Sequence, residues 1–301
     1  MDFDRVAPAS KSAVEVISRP SLTYWQDAWI KLRKNKVASF ALCLLVFYVF
    51  MALFGPMMGK FDFKSIDGDA IDAIPSMSHY FGTDTLGRDL WARVWVGARV
   101  SLSIGIMSAI LNAIIGVFIG GVAGYFGGKT DMLIMRFIDV MNGIPNLIVA
   151  ILVMVVLGEG LTPLVIALIV TGWLGSARLV RGQILQLKNQ EYILAARKLG
   201  AGTWRIIFRH LIPNTSGIIL TNVTMTVPYA IFQEAFLSFI GLGVQPPNAS
   251  WGLLAKYGSQ TFRFAPWQLF IPAFFICTTM LSLYVLGDGL RDALDPKLRN
   301  K

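Results

Sequence analysis

Long apolar runs separated by short charged connections dominate this chain. Val37–Met58 contains no charged residue, and Val100–Gly128 is a second uncharged run. A helix needs about 20 apolar residues to cross the roughly 30 Å hydrocarbon layer of a bilayer. The pattern therefore predicts an all-α, polytopic membrane helix bundle. Its six predicted spans are residues 37–58, 100–122, 131–157, 162–180, 214–241 and 268–290.

Proline and glycine mark irregular points within these spans. Asn142, Gly143 and Pro145 predict a kink in the third span, and Pro228 predicts a kink or break in the fifth. Gly116 and Gly120 form a GxxxG pair in the second span, which lets helix backbones approach closely. The bundle should therefore contain one tightly packed helix pair and two bent spans.

Composition and charge agree with a membrane protein. Charged residues make up 15% of the chain and the mean hydropathy is +0.60, whereas a typical soluble domain carries about 25% charged residues. The net charge of +9 would also fit a nucleic-acid partner. In the six-span topology, however, 20 of the 27 lysines and arginines fall on one side. By the positive-inside rule this side is cytoplasmic, both termini face inward, and no nucleic-acid partner is needed.

The segment before the first span is amphipathic. Leu22, Trp25, Trp29 and Leu32 share one helical face. A basic flank follows, made of Lys31, Arg33, Lys34 and Lys36. This is typical of a helix lying in the membrane interface, with a solvated linker as the alternative. We divide the chain into a cytoplasmic N-terminal segment (1–36), a first span with an outer loop (37–99), a core transmembrane domain (100–290) and a cytoplasmic tail (291–301).

A cytoplasmic stretch between the fourth and fifth spans carries two short amphipathic helices. The first has an apolar stripe spaced i, i+3, i+4 and i+7, and the second repeats that spacing before Pro213. Gly200 and Gly202 separate them as a flexible corner. The stripes are Tyr192, Ala195, Ala196 and Leu199, then Trp204, Ile207, Phe208 and Leu211. Spacing alone leaves two interpretations open, a docking surface for another protein or a hairpin that packs on its own bundle.

The pattern Ala195, Ala196, Gly200 and Pro213 resembles the EAA loop of ATP-binding cassette importer permeases. The resemblance implies a coupling loop at residues 185–213, whose first helix docks into a cleft of the ATP-hydrolysing subunit. The implied coupling residues are Glu191, Tyr192, Ala195, Ala196, Leu199, Gly200 and Pro213. This chain departs from the motif at Leu194, which replaces the acidic residue that names it, although Glu191 lies one turn earlier.

Further motifs are similar to those of the dipeptide, oligopeptide and nickel permeases, in the order of the C-type second permease. They are Phe81–Asp89, Gly97-x-Arg99-x-Ser101, Gly124–Gly128, Leu237–Gly243, Ser250–Gly252 and Gly287–Pro296. The resemblance implies the type I importer (MetI-like) fold in a bacterial cell membrane. It also implies a homologous B-type permease partner, two ATPase subunits, an extracytoplasmic solute-binding protein and a peptide substrate, with nickel or another small solute as the alternative cargo.

Polar residues inside the spans are candidates for the transport path, because ionisable groups at membrane depth are energetically expensive. The candidates are Glu234, Gln233, Met225 and Asn222. Glu234 has an alternative role, lying at the outer interface or supporting helix packing. For Asp139 we expect an intrahelical ion pair with Arg136.

No catalytic, cofactor or metal site is predicted. His79 and His210 fall on opposite sides of the predicted membrane, and Cys43 and Cys277 lie inside apolar runs. The chain contains no GxxxxGK[ST] phosphate loop, so ATP should bind to partner subunits. The rival classes are an ion-driven secondary transporter, which would carry more buried acids and inverted repeats, and an intramembrane enzyme, for which no reactive constellation is found.

Overall fold

The computed structural model describes residues 24–294, and this part of the chain is helical apart from its connections and one isolated β-bridge between Thr83 and Asp89. The long helices are α2 (Lys36–Met58), α3 (Leu90–Phe126), α6 (Leu161–Leu187), α10 (Ser216–Phe239) and α12 (Trp267–Leu294). The shorter ones are α1 (Tyr24–Lys34), α4 (Gly128–Asn142), α5 (Asn146–Leu157), α7 (Glu191–Lys198), α8 (Thr203–Ile206), a π-helical turn (Ile207–Leu211), α9 (Ile212–Asn214) and α11 (Trp251–Gln260).

Four helices, α2, α3, α6 and α12, are individually long and apolar enough to cross a membrane. Two bent pairs bring the number to six: α4 with α5 at 83°, and the segment Thr203–Asn214 with α10 at 66°. The predicted bend of the third span is confirmed. The fifth span is bent before α10 begins, whereas α10 itself runs unbroken through Pro228, so no break occurs there.

The long helix α3 packs along α6 through a row of glycines. A Cβ atom on Gly116 would lie 2.6 Å from the Cβ of Ser176, and one on Gly124 would lie 2.8 Å from the Cβ of Ile184. Gly120, between them, also faces the α6 backbone. Since carbon atoms normally approach to about 3.5–4.0 Å, these positions admit only glycine at the present helix separation. The predicted role of the GxxxG pair is confirmed, and the row extends by one turn.

The connection between α2 and α3 folds over one end of the bundle through polar contacts. Asp89 caps α3 by accepting a hydrogen bond from the Ala92 amide at 2.9 Å, and its other carboxylate oxygen lies 2.9 Å from His79 Nδ1. At the same end, α11 is fixed to α3, because the Trp251 amide donates to Ser101 Oγ at 3.2 Å. Gln268 of α12 donates to Asp72 Oδ1 at 2.7 Å, which joins the loop to the last helix.

The amphipathic helix α1 packs against the last turns of α12 at the other end of the bundle. Leu32 is buried there beside Ala293, whereas Trp29 remains exposed. The predicted single apolar face is therefore divided between contact with the protein and the surface. Leu22 and the side chain of Trp25 lie outside the described residues. The interfacial position of this helix stays a prediction.

Candidate coupling segment and transport-path residues

The segment after α6 forms two short helices around a glycine corner, as its spacing predicts. Helix α7 ends at Lys198 with Leu199 as its C-cap, and Gly200 follows with φ of +83°, a left-handed conformation that side-chain-bearing residues rarely adopt. The Ala201 amide donates to the Ala196 carbonyl at 3.0 Å and closes the last turn of α7. Helix α8 then begins at Thr203.

The segment is anchored to the bundle by four buried apolar side chains, two of which lie outside the predicted stripes. Ile193, the one buried residue of α7, joins Ile206, Ile207 and Leu211 in a cluster with Ile184 of α6. Ile207 and Leu211 belong to the predicted second stripe. The other two members of that stripe, Trp204 and Phe208, are half exposed and stack on each other with ring centroids 5.8 Å apart.

The predicted first stripe forms the free face of α7. Tyr192 is 43% exposed, Leu199 is 89% exposed, and Ala195 is exposed while Ala196 is half-buried. Exposed apolar side chains grouped on one face of a short helix are typical of a surface that another protein covers. The first stripe therefore does not pack on the bundle of the described residues, and its docking role stays a prediction.

Two cationic side chains tie the segment to the end of α3. The Arg197 guanidinium lies 5.5 Å from the ring centroid of Tyr125, and Lys188 Nζ donates to the Gly124 carbonyl at 2.8 Å. At the far side of the segment, Asn214 Nδ2 donates to the His210 carbonyl. Because α10 begins two residues after Asn214, displacement of α7 and α8 would act directly on α10.

The four candidate path residues do not converge on one site. Asn222 accepts a hydrogen bond from Ser176 Oγ at 2.7 Å, and together with Met225 it lines a cavity of about 520 Å³ at the end of the bundle that carries α7. Gln233 Nε2 donates to Tyr229 Oη at 3.0 Å, within a separate small cavity.

Glu234 is completely enclosed by protein. Its carboxylate accepts hydrogen bonds from Ser101 Oγ at 2.7 Å and Ser238 Oγ at 2.8 Å. Since Ser101 also receives the Trp251 amide, this network joins α3, α10 and α11. These contacts favour the packing role over an open position on a path.

The expected Asp139–Arg136 pair is wrong. Asp139 Oδ1 instead accepts from Arg178 of α6 at 2.7 Å, and Arg181 binds Asp131 through two hydrogen bonds of 2.9 and 2.5 Å. Arg136 is exposed. Sequence spacing favoured Arg136 as the partner because spacing identifies only neighbours on the same helix. The sequence did carry a signal for this pairing. Arg178 and Arg181 lie one turn apart on α6, and Asp131 and Asp139 lie two turns apart on α4.

Comparison with known proteins identifies the class of this chain. Residues 116–300 match the family described as the binding-protein-dependent transport system inner membrane component, and residues 23–75 match the N-terminal transmembrane domain of oligopeptide transport permease C. The chain belongs to the family of binding-protein-dependent inner membrane transport components. It is thus a multi-pass membrane permease.

Curated relatives cover nearly the whole chain. It is 50% identical over 293 residues to the oligopeptide transport system permease protein OppC of Bacillus subtilis, covering 97% of this chain and 96% of the relative. It is 53% identical over 284 residues to the dipeptide transport system permease protein DppC of the same organism, covering 94% and 89%. OppC of Escherichia coli is 40% identical over 277 residues, covering 91% and 92%.

Solved structures share the fold. A chain from an inward-facing structure of the MetNI methionine ABC transporter aligns with a TM-score of 0.56 and 18% identity, covering 67% of this chain and 97% of that one. At this identity the likeness concerns architecture alone. The predicted MetI-like, all-α permease fold is confirmed.

Proposed function

We propose that this chain is one of two permease subunits of an ATP-driven importer of dipeptides or oligopeptides in a bacterial cell membrane. A homologous B-type permease completes the pathway, two ATPase subunits bind inside, and a solute-binding protein delivers peptide from outside. The relatives at 50% and 53% identity are an oligopeptide and a dipeptide transport permease, which supports this cargo.

The distribution of charge supports the orientation. The end of the bundle that carries α1, α7 and the last turns of α12 holds most of the lysines and arginines. The positive-inside rule makes this end cytoplasmic, with both termini inside. The loop between α2 and α3 and helix α11 then face the binding protein.

The single observation that carries the coupling proposal is the free apolar face of α7. This face projects Tyr192, Ala195 and Leu199 away from the bundle, while Ile193 holds the helix in place from the other side. Ala195 and Ala196 are small enough for a groove of the ATPase to approach the α7 backbone. Movement of α7 would pass through the buried Ile207 and Leu211 into α10 and so rock the bundle.

A docking-face variant tests this proposal against a matched control. We expect Ala195→Trp to keep the permease pair in the membrane but to lose the ATPase subunits and ATP-dependent uptake, because the indole fills the contact face. Arg205→Trp, at an exposed position of α8, should retain both. The assay is reconstitution of the full transporter in proteoliposomes, with radiolabelled trialanine as the probe and copurification as the readout of assembly.

Three results would contradict the proposal. If the Ala195→Trp transporter retained its ATPase subunits and wild-type uptake, α7 would not be the coupling site. Uptake driven by an ion gradient without ATP would favour a secondary transporter. Accumulation of nickel in place of peptide would retain the machine but change its cargo.

A further inference from the structure

The span formed by α4 and α5 is broken, and its break is exposed. The two helices meet at 83°, and the residues between and beside them, Asn142 to Pro145, all lie on the surface of the chain. Irregular backbone is tolerated at membrane depth only where it contacts protein or lines water, since hydrocarbon offers no hydrogen-bond partners. The position of the break along the bundle therefore decides what can lie against it.

The break lies near the middle of the bundle. Helix α5 packs on the first half of α6, and its first residue, Asn146, shares a small cavity with Thr171. Thr171 follows Leu161, the start of α6, by ten residues, or about 15 Å of helix. That is roughly half of a 30 Å hydrocarbon layer. At this depth hydrocarbon is an energetically unfavourable neighbour for the break.

Several polar side chains line the cavity beside the break. Asn112, Thr171 and Gln233 are among its lining residues. Asn112 is 3% exposed, and its Oδ1 has no hydrogen-bond partner among the described residues. The cavity volume of about 20 Å³ is large enough for one water molecule. The protein next to the break is therefore suited to contact with water.

A charged pair lies on the same face. Asp139 precedes the break by three residues, and its ion pair with Arg178 leaves the two side chains 57% and 51% exposed. Arg178 lies seven residues, or about 10 Å, beyond Thr171 on α6, toward the end of the bundle that carries α7. An exposed ion pair at that level is suited to contact with water. Leu133 and Phe137, on the opposite side of α4, border an apolar groove instead. Helix α4 thus has one side suited to lipid and one suited to water.

We propose that the break at residues 142–145 and the Asp139–Arg178 pair line the water-filled transport path in the assembled transporter. This inference rests on the proposed function, because it requires a partner permease to enclose the path. The broken span then supplies the polar wall that Glu234, enclosed by protein, does not.

Cysteine accessibility tests the proposal in the full transporter. In a background with Cys43→Ser and Cys277→Ser, Asn142→Cys and Ile144→Cys report on the break, and Ile110→Cys is the control. Ile110 lines an apolar groove between α2 and α3, two residues from Asn112 and hence at similar depth. Inside-out vesicles are treated with a charged, membrane-impermeant thiol reagent, with and without trapping by ATP and vanadate.

We expect either break position to react about tenfold faster than Ile110→Cys, because thiolates form in water and not in hydrocarbon. Trapping should slow the reaction by closing the cytoplasmic entrance. Reaction as slow as at Ile110→Cys, or a rate unchanged by trapping, would overturn the lining role. ATP-dependent release of peptide from the same vesicles, loaded in the lumen with peptide and the binding protein, keeps this outcome separate from failure of the proposed function. If one cysteine variant does not assemble, the other decides the result.

Discussion

The glycine row between α3 and α6 gives a sharp prediction, because two adjacent glycines face different surroundings. A Cβ atom on Gly120 would approach the Ala177 carbonyl oxygen and lie 3.0 Å from the Arg181 amide nitrogen. A Cβ atom on Gly121 would meet only Ile207 Cγ2, at an ordinary 3.7 Å. Both glycines are buried in the same helix, more than one turn from its C-terminal end.

These distances set the sign and size of each alanine substitution. Replacing a mid-helix glycine by alanine gains about 1 kcal/mol of helix propensity. At Gly120 this gain is opposed by overpacking against a backbone that has no room to yield, a cost of about 1–3 kcal/mol. We expect Gly120→Ala to be destabilising by up to about 2 kcal/mol and Gly121→Ala to be neutral or stabilising by up to about 1 kcal/mol.

Thermal unfolding of the purified permease pair in detergent measures the difference, with light scattering to follow aggregation. Gly116→Ala should behave like Gly120→Ala, because a Cβ atom there would lie 2.9 Å from the Ala177 amide nitrogen. Equal melting temperatures for Gly120→Ala and Gly121→Ala would refute the conclusion that α3 and α6 touch through this row.

Three further predictions concern hydrogen bonds and backbone conformation. Glu234→Ala removes the acceptor of two buried hydrogen bonds and should lower stability by about 2–4 kcal/mol. Glu234→Gln retains one acceptor oxygen and should lose less than half of that stability. Equal melting temperatures for the two variants would contradict the hydrogen-bond network around Glu234. Arg181→Gln should destabilise the fold more than Arg178→Gln, because the partner of Arg181, Asp131, is only 14% exposed. The Arg178–Asp139 pair is half exposed, and such pairs contribute about 1 kcal/mol or less. A shift in melting temperature of the same size in both variants would count against this ranking. Gly200→Ala forces a side chain into a left-handed conformation, at about 1–2 kcal/mol, and should reduce ATP-dependent uptake more than expression; unchanged uptake would show that the corner tolerates strain.

Hydropathy located the spans but did not predict the full length of the longest helix. The predicted second span begins at residue 100, whereas α3 begins at Leu90. Arg93 and Arg99 lie in its first turns, and a hydropathy pattern stops at charges. The fold provides their partners, because Arg93 contacts Asp84 at 3.5 Å and Arg99 donates to the Ala52 carbonyl. Such long-range compensation has no local signal in the sequence.

The coupling segment shows what periodicity determines and what it leaves open. Spacing predicted both short helices and the glycine corner between them. It gave no information about which face meets the bundle, since an apolar stripe suits a neighbouring helix and a partner protein equally. Ile193, outside the predicted stripe, became the anchor of α7, and Tyr192 and Leu199 became its free face.

Photo-crosslinking from the free face of α7 tests the central claim most directly. Leu199, 89% exposed on α7, is replaced by benzoylphenylalanine, with Met77, 86% exposed in the loop between α2 and α3, as the matched control. In the assembled transporter, benzoylphenylalanine at position 199 should form a covalent adduct with an ATPase subunit, and benzoylphenylalanine at position 77 should form none. An ATPase adduct from Met77, or none from Leu199 in a transporter that retains its ATPases, would contradict the coupling role of α7.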